Sequence, residues 1–263
     1  MKNKKEFVKK ISICGKGGSG KSVIITLIAD ALKNKGYSIL IVDTDESNTG
    51  LYRMLDFEDA PETLTESLGG RNGVTKYWNE NKLGDLLHET IKRKKVITKN
   101  GIGLLSIGKI VEAGGGCACP LNAVVREFLK IYESQENEIV LVDTEAGVEH
   151  LGRGNEKYVD AVIVVVDPSY ESLEIANRAK KLSADLGIAD KRFYIVINRV
   201  GRDSNRILTE GLKKRGLESN IVGTVKLDPQ IQQASLLGKP LTGYGGDAAG
   251  DIKEIINNIF RLK

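Results

Sequence analysis

The sequence predicts a doubly wound α/β fold, a mostly parallel β-sheet with helices on both faces. Three observations carry that expectation. Short β-branched runs alternate with segments of helical period over most of the 263 residues. Several runs, Ala161–Val166 among them, are apolar on both faces, as parallel strands are when helices cover each side of the sheet. The first run also leads through a glycine-rich turn directly into an amphipathic segment, the opening of a βα unit whose ligands gather at the carboxyl ends of the strands.

Taken in order, the strand candidates are Ile11–Cys14, Ser38–Val42, Gly103–Ile107, Ile139–Val142, Ala161–Val166, Phe193–Asn198 and Ile221–Val225. Between the first two, Ile24, Leu27, Ile28, Ala31 and Leu32 recur at helical spacing, and Asn34–Gly36 ends that helix. The stretch Asp56 to Asn100 is the least regular. It carries Trp78 and the charge run Lys92–Lys95 and reads as a solvated excursion with a helix or two. The tail Ile252–Lys263 sets Ile252, Ile255, Ile256 and Ile259 on one face, which suits a docked helix. Neither a repeat nor a linker divides the chain, so a single domain over 1–263 is expected.

Composition narrows the partners. Lys and Arg exceed Asp and Glu by only 39 to 35, and aromatics are 5%, so neither a polyanion-wrapping charge nor base-stacking surfaces are available and no nucleic-acid partner is expected. No apolar run reaches the length of a membrane span. The basic start (Lys2, Lys4, Lys5, Lys9, Lys10) is followed by Ile11–Cys14 and a glycine loop, not by a signal-peptide core. Three cysteines do not make a secreted disulfide framework. A cytoplasmic protein without a membrane partner is expected.

Gly15-Lys16-Gly17-Gly18-Ser19-Gly20-Lys21-Ser22 fits G-x-x-x-x-G-K-[ST] between a strand and a helix, the context that confirms a phosphate loop. Backbone N–H groups of Gly17, Gly18, Ser19 and Gly20 and the positive helix end converge on phosphate oxygens. Lys21 neutralises β- and γ-phosphate charge, and the Ser22 hydroxyl ligates Mg²⁺. Asp43-Thr44-Asp45 ends the second strand, and Asp143-Thr144-Glu145-Ala146-Gly147 the fourth. Carboxylates there can hold Mg²⁺ through its water shell or orient an attacking water. Asn198-Arg199-Val200-Gly201 offers no carboxylate where guanine's donors would want one, while the Asn198 amide serves adenine. ATP is favoured over GTP.

Lys16 is an additional cation in that loop. The pattern K-G-G-x-G-K-[ST] resembles the deviant Walker A of the MinD/ParA/nitrogenase-iron-protein class of P-loop ATPases. The resemblance implies the fold of that class, and a homodimer in which Lys16 reaches the partner's phosphates across a nucleotide sandwich. It also assigns Asp143 and Asp43 to Mg²⁺ and its waters and Asp45 to the hydrolytic water. Val225–Pro229 is similar to the class's second adenine-flanking loop.

Gly114-Gly115-Gly116-Cys117-Ala118-Cys119-Pro120 places two thiols close together. A C-x-C pair cannot complete a metal site alone, but two pairs at a symmetry axis suit tetrahedral Zn²⁺ or planar Ni²⁺. The same pair also reads as buried small apolar residues, as Cys14 on the first strand does. Together the extra-lysine loop, Asp43-x-Asp45, Gly116-Cys117-x-Cys119-Pro120 and Asp143-Thr144-Glu145-Ala146-Gly147 resemble the CooC family, accessory ATPases for nickel insertion into carbon monoxide dehydrogenase. The resemblance spans the chain apart from Asp56–Asn100. It implies an ATP-dependent homodimer with Cys117 and Cys119 of each subunit at an interface nickel site, serving carbon monoxide dehydrogenase or, alternatively, acetyl-CoA synthase. One departure is Glu46-Ser47-Asn48, where relatives carry a proline-containing turn. A nitrogenase-iron-protein-like cluster is disfavoured, because no cysteine follows Asp143. A MinD/ParA-like positioning ATPase leaves C-x-C unexplained. His150, after the second acidic loop, reads as a surface histidine that could report nucleotide state, and His88 has no spacing argument.

Overall fold

The structure, a computed structural model, describes residues 8–93, 96–108, 119–188 and 192–260. Among the described residues eight strands form one sheet in the order β3-β4-β2-β5-β1-β6-β7-β8: β1 Lys10–Gly15, β2 Ser38–Asp43, β3 Ile97–Lys99, β4 Ile102–Ser106, β5 Glu138–Asp143, β6 Ala161–Val166, β7 Phe193–Val200 and β8 Ile221–Lys226. All neighbours are parallel except β3, which runs antiparallel to β4 at the edge. All seven expected strands are present. The three-residue β3 was not anticipated; it is too short to show a period of two.

β1 lies between β5 and β6, where the winding of the chain reverses, and this opens a crevice at its carboxyl end. Alternation along the central strands divides their side chains between two cores. Ile11 and Ile13 face the layer of α1 (Lys21–Lys33) and α11 (Asp247–Phe260), while Cys14 faces the opposite core. That second layer holds α6 (Cys119–Ile131), α8 (Tyr170–Asp185) and α9 (Arg202–Lys214). Helix α1 ends at its Asn34 cap with Gly36 at φ +92°, and Ile252, Ile255, Ile256 and Ile259 of α11 are buried, both as the sequence predicts.

The excursion between β2 and β4 is more than a solvated loop. After α2 (Leu51–Met54) come α3 (Leu64–Ser67), α4 (Gly70–Asn79) and α5 (Leu83–Arg93). Thr63 caps α3 in a capping box with Glu66. Leu64, Leu68, Val74, Leu83 and Leu87 are buried in the same cluster as Val124 and Phe128 of α6. These apolar positions are sparse among charged neighbours, so a narrow buried stripe read as a solvated face. Replacing the fully buried Leu87 with Ala should therefore cost about 2–5 kcal/mol in urea unfolding. A change within about 0.5 kcal/mol would mean that α5 is a surface appendage.

Candidate nucleotide site

The loop after β1 is shaped by glycines in conformations and close quarters that suit few other residues. At Gly15 (φ +149°) a Cβ would strike the Val165 carbonyl, and at Gly20 (φ +95°) it would strike the Asn198 amide. Both residues also occupy backbone regions that side chains disfavour. Gly18 is left-handed at φ +79°, Gly17 lies beside Ala146, and the Ser19 N–H donates to the Lys16 carbonyl at 3.1 Å. Asn198 donates to the Ser19 carbonyl (2.8 Å) and Arg199 to that of Gly18 (2.7 Å), so the end of β7 braces the loop from behind. The Gly147 N–H donates to the Gly15 carbonyl at 3.0 Å, which clips the acidic loop after β5 to the glycine loop.

Register sets the carboxylates. Asp43 and Asp143 are paired positions at the ends of β2 and β5. Both are buried. The Ser22 hydroxyl donates to Asp143 Oδ2 at 2.8 Å, and the Asp45 N–H donates to Asp43 Oδ1 at 3.2 Å. Burial, then the neighbouring Asp43 charge, push the Asp143 carboxyl up to about 7 against the Ser22 hydrogen bond and Lys21. Asp143 Oδ1 and Ser19 Oγ are buried and have no protein partner among the described residues. A hydroxyl beside two carboxylates is a hard-oxygen donor set of the kind Mg²⁺ takes, and the unpartnered Asp143 oxygen fits such a cation or its water.

Asn48 was missed by the sequence reading. Its amide donates to Ser22 Oγ (3.2 Å) and Asp143 Oδ2 (3.1 Å), joining the first acidic loop to this cluster. Its place three residues after Asp45 was the available signal. Lys21 is buried and pairs with no carboxylate among the described residues. Lys16 is held within its own chain: its Nζ lies 3.7 Å from both Asp167 and Glu171 and 3.5 Å from Ser169. Asp45 is half-buried and accepts from the Ser47 N–H and hydroxyl. Beyond Asn198, a cleft of about 300 Å³ runs between Val23 and the segment Val225–Ile231.

His150 is not at the surface. It is buried on α7 (Glu149–Gly152), with Nδ1 against Glu156 and Nε2 3.3 Å from the Gly147 carbonyl. Cys14 is buried, as expected of a core residue, and its thiol is pushed up by burial and Glu156. Cys117 and the side chain of Cys119 lie outside the described residues. Among those described, no group of three His, Cys, Asp or Glu side chains could hold a metal. No described helix is long and apolar enough to cross a membrane.

A glycine loop at the carboxyl end of a central parallel strand, with a buried lysine, a hydroxyl and paired carboxylates, defines a nucleotide-binding P-loop domain. Residues 11–241 match the CobQ/CobB/MinD/ParA nucleotide binding domain, and the chain belongs to that family of ATP-binding and ATP-hydrolysing domains. An uncharacterized ATP-binding protein of Methanocaldococcus jannaschii is 36% identical over 94% of this chain and 98% of its own. The carbon monoxide dehydrogenase accessory protein CooC of Rhodospirillum rubrum is 30% identical over 87% of this chain and 88% of its own. The septum site-determining protein MinD complexed with Mg-ADP from Pyrococcus horikoshii shares the fold at a TM-score of 0.69, with 18% identity and 95% of each chain covered.

The raised Asp143 carboxyl has a consequence for stability. Well below pH 3.8 it is protonated whether folded or not; between its ordinary value of 3.8 and about 7 mainly the unfolded chain ionises, so stability falls as pH rises. The full penalty is present above pH 7. Asp143→Asn should raise the melting temperature of the nucleotide-free protein by a few degrees at pH 8, and the gain should vanish toward pH 4. A pH-independent effect would contradict this account.

Proposed function

We propose that the chain is an ATP-hydrolysing homodimer that binds nickel and assists its insertion into the active-site cluster of carbon monoxide dehydrogenase, with 1–263 acting as one ATPase domain. The observation that carries the ATPase half is the buried Asp143 oxygen beside the Ser22 hydroxyl at the mouth of the glycine loop, unpartnered among the described residues. Support for the nickel half comes from Cys117-x-Cys119 and from the 30% identity to the accessory protein CooC. In this reading Ni²⁺, or Zn²⁺ at the same thiolates, is cargo.

The residues then divide the work. The N–H groups of Gly17, Gly18, Ser19 and Gly20 and the Lys21 ammonium bind the phosphates of ATP or ADP. Ser22, with Asp43 and Asp143 acting through waters, would hold Mg²⁺, which supplies charge neutralisation on the β- and γ-phosphates. Asp45 orients the attacking water. The base lies in the cleft beside Asn198; the amide nitrogen is committed to the Ser19 carbonyl, which leaves the Asn198 oxygen as an acceptor for the adenine amino group. Lys16 leaves Asp167 and Glu171 to reach the partner's phosphates when the dimer closes.

Two experiments separate the halves. Lys21→Ala should lose about 2 kcal/mol or more of ATP affinity by calorimetry, because a buried counter-charge is removed. Lys16→Ala should bind ATP nearly as well yet neither dimerise nor turn over. For the metal, equilibrium dialysis under reducing conditions should give about one Ni²⁺ per two chains, lost in Cys117→Ser/Cys119→Ser. Nickel binding unchanged in that double variant, with a normal ATP-driven dimer, would leave a MinD/ParA-like positioning ATPase. Nickel delivery to acetyl-CoA synthase but not to carbon monoxide dehydrogenase would change the client.

A further inference from the structure

The loop that carries Asp45 is a tight turn with an unusual occupant. The Asn48 N–H donates to the Asp45 carbonyl at 3.2 Å, so residues 45–48 form a β-turn with Glu46 at its second position. Proline favours that position because it fixes φ in advance. Glutamate does not, and here it is buried at 9% exposure between half-buried Asp45 and exposed Ser47. Its N–H reaches no acceptor among the described residues, so the turn owes nothing to that group.

The side chain is held instead. Glu46 Oε2 accepts from Arg71 Nη2 at 3.1 Å, and Glu46 Oε1 is buried with no partner among the described residues. A carboxylate in that setting persists only with a counter-charge. Arg71 stands in the first turn of α4, directly after left-handed Gly69 (φ +84°) and Gly70 (φ +72°). That helix is fixed to the core by fully buried Val74. Arg71 thus stands on a helix packed into the core while Glu46 stands in a turn, so the pair ties the turn to that helix.

We infer that Arg71 is a positioning residue for hydrolysis: by pairing with Glu46 from α4, it fixes the turn that presents Asp45 to the nucleotide. The helical excursion thereby supplies a restraint that proline would supply within the loop itself. This inference rests on the assignment of Asp45 to the attacking water. It gives α4 a part in the reaction.

The test uses the full chain with ATP and Mg²⁺, steady-state kinetics, and hydrogen exchange of residues 44–50. Arg71→Ala should lower kcat about tenfold with KM for ATP within about twofold, as a misplaced reacting group does, and should speed exchange of the loop. Adding Glu46→Pro to that variant should recover most of both losses. Adding Glu46→Gln, which removes the stranded charge without restraining φ, should recover little. Equal rescue by Gln and Pro would overturn the restraint in favour of simple charge balance. Failure of Pro to rescue, or unchanged kcat and exchange in Arg71→Ala, would overturn it as well. If Asp45→Ala retains the wild-type rate, the assignment of Asp45 falls, and the exchange data alone decide whether Arg71 fixes the turn.

Discussion

Two carboxylates that parallel pairing forces side by side govern this molecule. Asp43 and Asp143 stand in register at the ends of neighbouring strands, both buried. Like charges in such a place repel and are poorly solvated, which is why Asp143 gives up its proton reluctantly. The surroundings answer that strain with donors: the Ser22 hydroxyl, the Asn48 amide, the Asp45 N–H and the nearby Lys21. They do not fully satisfy it, since Asp143 Oδ1 stays unpartnered among the described residues. A site left short of positive charge is prepared for a cation that arrives with a nucleotide.

The loop after β5 belongs to the interior as much as to the site. Gly147 is tied on one side to Gly15 and on the other to His150, which meets buried Glu156 in the 3-10 turn Asn155–Tyr158. The neighbouring Asn155 donates to Asn122 of α6, the helix that begins at Cys119. The path from the glycine loop to Asn122 of α6 thus runs mostly through buried polar groups. Such groups tolerate displacement poorly, because each broken hydrogen bond leaves a partner stranded.

Much of this was legible in the sequence. Hydrophobic period located the parallel strands, and the spacing of Gly15 to Ser22 marked the glycine loop after β1, because only glycines suit its backbone at Gly15, Gly18 and Gly20. The acidic loops were legible for a related reason: strand ends in such a sheet point at the ligand. What stayed hidden depends on contacts between distant segments. Asn48 is an ordinary loop amide until the fold brings it to Ser22, and His150 reads as polar until Glu156 meets it inside the core. Arg71 lies in a segment whose charges conceal a buried stripe, so its reach to Glu46 has no local signature.

The cover over α1 comes from far along the chain. The apolar face of that helix, with Ile24, Ile28 and Leu32, shares its core with Ile252, Ile255 and Ile256 of α11. During synthesis α1 is made long before α11, so the part of its apolar face that α11 covers is sealed late. Contacts of such long sequence separation form slowly, and the nascent chain carries exposed hydrophobic surface meanwhile.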